Sequence, residues 1–189
     1  MKREVEATYL DINKDSLRAL LASRGFSCKH PEYLMRRKTF DFSNAAPGRN
    51  KWGRVRQEAD KATMTIKEVR GTGINDTYEL EMEVDSFDSA CEMFEQCNIH
   101  AKAFQENYRE TWETNAAQVT IDTWPGLNPF AEVEAADEAN VKDVSAQLGF
   151  NFSSAVFGSI DLIYEKVLGI PSATIIALPE ITFANPPKR

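Results

Sequence analysis

Acidic residues at alternate positions recur in this chain, and basic residues repeat the same spacing between them. The acidic segments are Glu4-Val5-Glu6, Glu79-Leu80-Glu81 and Glu132-Val133-Glu134, and the basic segments are Arg54-Val55-Arg56 and Thr65-Ile66-Lys67. Residues two apart on a β-strand point to the same face, so each segment places its charges on one face and its apolar residue on the other. Carboxylates bind hard divalent cations, whereas Arg and Lys bind anions such as phosphate. The pattern therefore predicts a sheet that holds a cation and an anion together.

The composition is that of a soluble domain and excludes several classes of protein. The chain has 189 residues, 42% hydrophobic and 27% charged, and we expect a single domain over residues 1–189. Its net charge of −7 argues against a nucleic-acid-binding protein. No apolar run approaches the roughly 20 residues of a membrane span, and the start lacks the apolar core of a signal peptide. We therefore expect a cytoplasmic protein with neither nucleic acid nor membrane as a partner.

The histidines and cysteines limit the kind of site that the chain can build. Only His30 and His100 are present, both in regions that we predict to be turns. The chain therefore has almost no histidines from which to build a zinc site or a Ser-His-Asp triad. Any metal should therefore be Mg²⁺ or Mn²⁺ held by carboxylates. The three cysteines form no CxxC pair, and we expect them to be buried and reduced.

Alternating polar and apolar residues predict eight β-strands. They lie near residues 3–10, 34–42, 52–58, 62–70, 77–85, 103–113, 117–124 and 130–136. Turn residues at Gly71-Thr72-Gly73 and Thr114-Asn115 predict that the strands on either side form antiparallel hairpins. The segment from Ser43 to Asn50 is predicted to be a longer loop.

Apolar residues at helical spacing predict four helices between or after these strands. Their stripes include Leu17 and Leu21, Phe87 and Phe94, Val141 and Leu148, and the run from Val156 to Val167. Each stretch ends in Gly or Asn followed by an apolar residue, the pattern of a left-handed C-terminal cap. The pairs are Gly25-Phe26, Asn98-Ile99, Gly149-Phe150 and Gly169-Ile170. The tail after Pro171 is predicted to be extended and partly irregular.

The charged face of the sheet has two possible environments. An open antiparallel sheet would expose it to water. Eight strands, however, are enough to close a barrel whose interior holds one small ligand. Like charges at i and i+2 repel each other unless opposite charges lie across from them. Acids on some strands and bases on others therefore favour a polar interior completed by a divalent cation and a polyphosphate, with the helices packed on the apolar outer face.

The ordered set of motifs resembles the CYTH superfamily, the triphosphate tunnel metalloenzymes, from about Glu4 to Gly169. Members include class IV adenylate cyclases, thiamine triphosphatases and inorganic triphosphatases. The family's opening Glu-x-Glu-x-Lys corresponds to Glu4 through Thr8, and its Arg-x-Arg, Thr-x-Lys and central Glu-x-Glu follow in order. These read Arg54-Val55-Arg56, Thr65-Ile66-Lys67 and Glu79-Leu80-Glu81; later strands supply Tyr108-Arg109-Glu110, Asp122 and Glu132-Val133-Glu134.

The resemblance implies an α+β fold: an eight-stranded antiparallel tunnel with a polar interior and about four helices outside. It implies that carboxylates on the inner face hold one or two Mg²⁺ or Mn²⁺ ions: Glu4, Glu6, Glu79, Glu81, Glu132 and Glu134. It implies that Arg54, Arg56, Lys67 and Arg109 bind the triphosphate. Arg37 and Lys38 are either further phosphate ligands or solvated surface residues. Asp122, Lys67 and Arg56 would act in catalysis, with Asp122 orienting a metal-bound water or supporting the metal ligands. Trp52 would stack on a ring at the tunnel mouth, although a partly buried core position is the alternative.

One departure from the family pattern leaves the activity open. The lysine of the opening motif is Thr8 here, which removes a cation from the tunnel. Three functions therefore stand. The first is a metal-dependent triphosphatase acting on tripolyphosphate, thiamine triphosphate or a nucleoside triphosphate. The second is a class IV adenylate cyclase making cyclic AMP and pyrophosphate, and the third is a non-catalytic binder of polyphosphate or nucleotide. In each case the partner is a small molecule carrying a triphosphate, and a homodimer is left open.

Overall fold

The computed structural model describes residues 1–42 and 50–188 and shows an α+β fold. The strands are β1 Lys2–Glu4, β2 Glu6–Tyr9, β3 Ser27–Asp41, β4 Asn50–Gln57, β5 Ala62–Val69, β6 Thr77–Val84, β7 Ala101–Glu113, β8 Ala117–Thr123, β9 Phe130–Ala135 and β10 Glu180–Ile181. The helices are α1 Lys14–Ser23, α2 Phe87–Gln96, α3 Glu138–Gln147, α4 Ile160–Leu168 and α5 Ser172–Ile176, with a 3₁₀ helix at Phe152–Ser154.

The sheet closes on itself through the N-terminal segment. The strand order is β1-β6-β5-β4-β3-β7-β8-β9-β2, with every neighbouring pair antiparallel. Because β1 pairs with β6 and β2 pairs with β9, the two short strands on either side of Val5 join the edges of the sheet into a nearly closed barrel. The expected antiparallel barrel is confirmed. Its count differs because the first predicted strand divides at Val5, and the short β10 adds a parallel pairing to β7.

The predicted helix ends are confirmed at all four positions. Gly25, Asn98, Gly149 and Gly169 each adopt a left-handed conformation, with φ of 82°, 62°, 74° and 68°. After the first three, the next amide donates to a carbonyl five residues back, as when Phe26 N donates to Leu21 O at 3.0 Å. The N-termini of α1, α2 and α3 are also capped: the side chains of Asn13, Ser86 and Asp137 accept a hydrogen bond from the backbone amide three residues further along.

The helices pack on the apolar outer face of the barrel. Helices α1 and α3 cover Ala7, Val119, Ile121 and Val133, and α2 covers a second cluster that includes Phe40 and Val55. A third cluster joins Trp124 and Phe130 to α4 and α5. The outer face of β6 differs from the expectation, because Leu80 and Met82 are 57% and 60% exposed and no described helix covers them.

Several local predictions are wrong. Strand β3 begins at Ser27, well before residue 34, so His30 lies in a strand rather than a turn. Pairing with β7 continues there across irregular steps in register, which blur the alternation. Helix α4 begins at Ile160 because Val156 pairs with Thr8 instead, and the tail after Pro171 contains α5.

The expectation of buried cysteines is confirmed for Cys91 and wrong for Cys28 and Cys97, which are exposed because they lie near the start of β3 and just past the end of α2. All three thiols are free. The predicted loop from Ser43 falls on residues 43–49, which lie outside the described residues; Asn50 already begins β4. Within the described part of the chain, none of the helices has the length and apolar character needed to cross a membrane.

Candidate functional site

The interior of the barrel gathers the charged residues that alternate with the outer apolar ones. Two cavities, of about 200 and 260 Å³, enter it from opposite directions. Both are lined by the same six charged residues: Glu4, Glu6, Arg54, Arg56, Arg109 and Glu132. The acids and bases that the sequence placed on one face of the sheet therefore line one shared space.

Arg37 is a buried cation among like charges. Its residue is 7% exposed, and its guanidinium lies 4.6 Å from the ring centre of Trp124 and donates to the side-chain oxygen of Asn107. Its Nε has no hydrogen-bond partner among the described residues. Burial, followed by repulsion from Arg54, Arg56 and Arg109, holds the pKa of Arg37 well below its usual range. An anion in the cavity would relieve this repulsion.

Arg54 and Arg56 lie beside Arg37 on the neighbouring strand. The register of β3 and β4 sets Arg37 opposite Arg56. Arg54 is 9% exposed, and its closest polar contacts, to Thr65 Oγ1 and Glu81 Oε2, are both long at 3.5 Å. Burial and Arg56 lower the pKa of Arg54. Arg56 has a firmer partner, with Nη2 2.7 Å from Glu58 Oε1. Arg54 is therefore only loosely neutralised by the protein.

Arg109 is held from two sides by carboxylates. Its Nε and Nη2 donate to Asp122 Oδ1 and Oδ2 at 2.9 and 2.7 Å, and Nη2 also lies 2.7 Å from Glu132 Oε2. Asp122 is fully buried and accepts further hydrogen bonds from Asn107 and Thr120, at 2.6 and 3.0 Å. Since these donors occupy both of its oxygens, Asp122 fixes the orientation of Arg109.

The carboxylates of β1 and β2 have contrasting environments. Glu4 pairs with Lys67, with Nζ 2.6 Å from Glu4 Oε2. Burial alone would raise the pKa of Glu4, but Lys67, Arg54 and Arg56 outweigh it and the pKa is lowered. At Glu6, burial and then the charges of Glu4 and Glu132 raise the pKa well above its usual value. Glu6 is therefore a carboxylate that a cation would stabilise.

Glu134 and Glu79, like Glu6, lie among other carboxylates. Glu134 lies directly across from Glu6 in the pairing of β2 with β9. Burial, followed by Glu4 and other carboxylates, raises the pKa of both Glu134 and Glu79. A cluster of oxygen ligands with excess negative charge fits Mg²⁺ or Mn²⁺. Among residues 1–42 and 50–188, however, no three acidic, histidine or cysteine side chains are already arranged around one ion position.

The remaining predicted ligands lie at different places in the structure. Trp52 is half-buried and lines one of the two cavities, while Glu81 lies at the other. Lys38 faces the outside of the barrel, where its charge acts on Cys91 of α2. Of its two expected positions the outer one therefore holds, and the role as a phosphate ligand is wrong. The alternation of β3 allows only one of two neighbouring residues to point inward.

Two interior residues were missed by the sequence reading. Asn107 joins Arg37 to Asp122, and Thr120 donates to Asp122 and Glu132. Each lies on the same strand face as a charged residue already singled out, two residues from Arg109 and Asp122 respectively. Strict use of the alternation could have found them. Thr65, which the sequence analysis named in a motif without giving it a role, donates to Glu81 Oε2 at 2.7 Å.

Comparisons with known proteins place this architecture among solved structures. No family model and no curated protein matches the sequence. A candidate adenylate cyclase from Vibrio parahaemolyticus superposes with a TM-score of 0.68 at 17% identity, covering 89% of this chain and 99% of that one. A candidate adenylyl cyclase from Hippeastrum, described as having a dominant triphosphatase activity, gives 0.54 at 14% identity and covers 88% and 96%. A chain of the Schizosaccharomyces pombe Mediator head module gives 0.55 at 14%, covering 78% and 94%.

These similarities establish the fold. It is a nearly closed antiparallel barrel shared with these solved structures, as the sequence resemblance implied. Because the same fold also occurs in the Mediator head module, the fold alone does not assign a function. The function must be argued from the charged interior.

Proposed function

We propose that this protein is a divalent-metal-dependent enzyme that acts on triphosphate-bearing substrates inside the barrel, and that its reaction is hydrolysis of the terminal phosphate. The observation that carries the proposal is a double imbalance of charge in one interior. Arg37 is buried with no ion pair to a carboxylate among the described residues, and Arg54 reaches Glu81 only at 3.5 Å, whereas Glu6 and Glu134 are crowded by other carboxylates. An anion bound together with a metal ion would correct both imbalances.

The basic residues account for binding of the triphosphate. A triphosphate carries about four negative charges at neutral pH, and its transfer reactions depend on positioning and charge neutralisation. Arg37, Arg54 and Arg56 lie together on β3 and β4, and Lys67 lies directly across from Trp52 on β5. Arginine side chains can hold two phosphate oxygens at once. Arg109 on β7, next to β3 and oriented by Asp122, would complete the set.

The acidic residues account for the metal. Glu4, Glu6, Glu132 and Glu134 would hold Mg²⁺ or Mn²⁺, with Glu79 and Glu81 as further ligands on β6. A bound ion would neutralise charge on the phosphate oxygens and polarise the reacting phosphoryl group. Lys67 would then move from Glu4 to the phosphate, leaving the Glu4 carboxylate to the ion.

Hydrolysis requires few groups beyond these. A water oxygen forms a bond to the terminal phosphorus, the bond from that phosphorus to the bridging oxygen breaks, and the proton of water passes to the phosphate products or to solvent. Arg56, Lys67 and Arg109 would stabilise the charge on the transferring group. Asp122 would act by holding Arg109, because its own oxygens are occupied by Arg109, Asn107 and Thr120.

Adenylate cyclisation is the second candidate. It is favoured by the similarity to the candidate cyclase from Vibrio parahaemolyticus, whereas the triphosphatase activity described for the Hippeastrum protein favours hydrolysis. A cyclase must bring the ribose hydroxyl of ATP to the α-phosphorus and release pyrophosphate. A binder without turnover is the third candidate, since Thr8 replaces the lysine of the family motif.

One incubation separates the three functions. The purified protein is mixed with Mg²⁺ or Mn²⁺ and with tripolyphosphate, thiamine triphosphate or ATP, and phosphate, pyrophosphate and cyclic AMP are measured. Hydrolysis predicts phosphate without cyclic AMP, lost in excess chelator and in Glu134→Gln. Glu83→Gln, a change of the same chemistry on an exposed side chain of β6, serves as the control. Equal amounts of cyclic AMP and pyrophosphate would establish the cyclase, and binding without any product would establish the binder.

A further inference from the structure

The outer face of β6 carries large apolar side chains that no described helix covers. Leu80 and Met82 are 57% and 60% exposed, whereas Val119 and Val133 on the outer faces of β8 and β9 are fully buried. Single exposed apolar residues are common on soluble proteins, but contiguous ones mark sites of interaction. What decides the meaning of Leu80 and Met82 is therefore whether other apolar side chains adjoin them.

Strand β5 supplies these neighbours. Ile66 lies directly across from Leu80, and Met64 lies directly across from Met82; both β5 residues are half-buried. Residues opposite each other on paired strands have their side chains within contact range. All four point away from the barrel interior, because they alternate with the residues that line it. They form a continuous apolar surface, here called the β5–β6 strip, of Met64, Ile66, Leu80 and Met82.

One end of the β5–β6 strip is basic. There the ring centre of Tyr78 lies 5.9 Å from the guanidinium of Arg3 and 4.0 Å from that of Arg70. Both arginines are exposed, and Arg70 also pairs with Glu68 at 3.2 Å. Around Tyr78, three cations outnumber two carboxylates: Arg3, Lys51, Arg70, Glu68 and Asp76.

The other end of the strip is acidic. Beyond Val84, a groove runs between the turn from β4 to β5 and the start of α2. Asp85 and Asp88 in its lining are exposed, while Lys61 is already paired with Glu83 at 2.8 Å. In this lining four carboxylates outnumber two cations: Asp60, Glu83, Asp85, Asp88, Arg36 and Lys61. The two ends of the strip therefore carry opposite net charge.

We propose that the β5–β6 strip binds the same strip of a second copy of this chain, running in the opposite direction, so that the basic end of each copy meets the acidic end of its partner. Most oligomers of soluble proteins are two-fold symmetric dimers in which one surface meets an identical surface. An apolar centre with oppositely charged ends is complementary to itself when it is reversed. The strip lies outside the barrel, so this inference is independent of the proposed function.

The position of the two-fold axis follows from the strand geometry. An axis across the strands, level with the residue between Leu80 and Met82, places Leu80 against the partner's Met82. Tyr78 and Val84 lie equally far from this axis, roughly 10 Å at about 3.4 Å per residue, so the charged ends meet when the apolar centres do. An axis along the strands would instead set like charges against each other, which disfavours that arrangement.

Sedimentation velocity of the full-length protein across a wide range of concentrations tests the contact. The protein should form a dimer as its concentration rises. Met82→Glu introduces a carboxylate at the apolar centre and should raise the dimer Kd at least about tenfold. Leu34→Glu is the matched control, because Leu34 is 48% exposed on the outer face of β3, away from the strip, and it should leave the Kd unchanged. A protein that stays monomeric at every concentration would overturn the inference, as would equal effects of the two variants.

Charge reversal tests the direction of pairing. Arg3→Glu and Asp85→Lys should each raise the dimer Kd severalfold, because each sets like charges against each other at both ends of the two-fold contact. The two changes combined in one chain restore opposite charges across the interface and should return the Kd toward that of the unaltered protein. A double variant that dimerises no better than either single variant would contradict the reversed arrangement.

Both residues are exposed, so these changes should leave the unfolding midpoint unaltered.

Discussion

Replacing Arg37 with methionine should make the ligand-free protein more stable while weakening triphosphate binding. Arg37 is 7% exposed, and Arg54, Arg56 and Arg109 all lower its pKa. Its charge therefore destabilises the ligand-free protein. Methionine has a similar length, is apolar and adapts to irregular space. Function and stability should therefore respond to this one change in opposite directions.

The expected size follows from the contacts. Removing a buried charge in favour of a hydrophobic residue stabilises by about 1–4 kcal/mol. Loss of the hydrogen bond to Asn107 and of the stacking on Trp124 costs on the order of 1 kcal/mol each, so a net gain of up to about 2 kcal/mol is expected. Loss of a buried charged contact to phosphate should cost about 2–5 kcal/mol of binding, which is roughly 30-fold to a few thousand-fold in Kd.

The assay pairs denaturant unfolding without ligand with calorimetric titration of tripolyphosphate. Lys38→Met is the matched control, because Lys38 follows Arg37 on the same strand but faces α2. The control should leave the Kd unchanged. If Arg37→Met destabilised the ligand-free protein by several kcal/mol, or left the Kd as it was, Arg37 would be a structural residue and the reasoning would be refuted.

Three other changes probe the same interior. Lys67→Met should weaken triphosphate binding. Unlike Arg37→Met, it should also lower the stability of the ligand-free protein by about 1–3 kcal/mol, because Glu4 loses a partner 2.6 Å away. An unchanged unfolding midpoint would argue against that ion pair. Burial and neighbouring carboxylates raise the pKa of Glu6 above the usual 4.5, so the metal-free protein should lose stability as the pH rises from 4.5 through the raised pKa. Glu6→Gln should flatten this loss in denaturant midpoints measured across the range, and an unaltered slope would place the titration elsewhere. Thr8→Lys should tighten tripolyphosphate binding but slow turnover, since stronger binding of the ground state does not speed the reaction. Thr8→Met controls for side-chain volume at this 2% exposed position, and faster turnover in Thr8→Lys would show that the missing lysine is a loss of function.

The alternation of charged and apolar residues was enough to predict the barrel and most of its interior. Strict period-two segments such as Thr77–Val84 and Ala117–Thr123 came within one residue of the observed strands. The caps at Gly25, Gly149 and Gly169 were readable because left-handed backbone strongly favours glycine. The inward direction of Arg54 and Glu132 followed from the same alternation.

The predictions failed where local sequence does not determine structure. The early part of β3 was missed because its pairing with β7 shifts register between Cys28 and Tyr33. Helix α5 was missed because five residues give too little periodicity. The approach of Trp52 to Ile176 in the lining of one cavity could not be foreseen, because the two residues are brought together only by tertiary packing. The uncovered face at Leu80 and Met82 likewise depends on where the helices lie, which no strand pattern reports.

The barrel interior is expected to bind a triphosphate and a divalent metal together. A crystal structure of the protein with tripolyphosphate and Mn²⁺, using anomalous scattering to locate the metal, would show whether it does. We expect Mn²⁺ among Glu6, Glu132 and Glu134, with phosphate oxygens on Arg37, Arg54 and Arg56. Phosphate and metal bound only outside the barrel, with the interior contacts between Lys67 and Glu4 and between Arg109 and Asp122 unchanged, would contradict it.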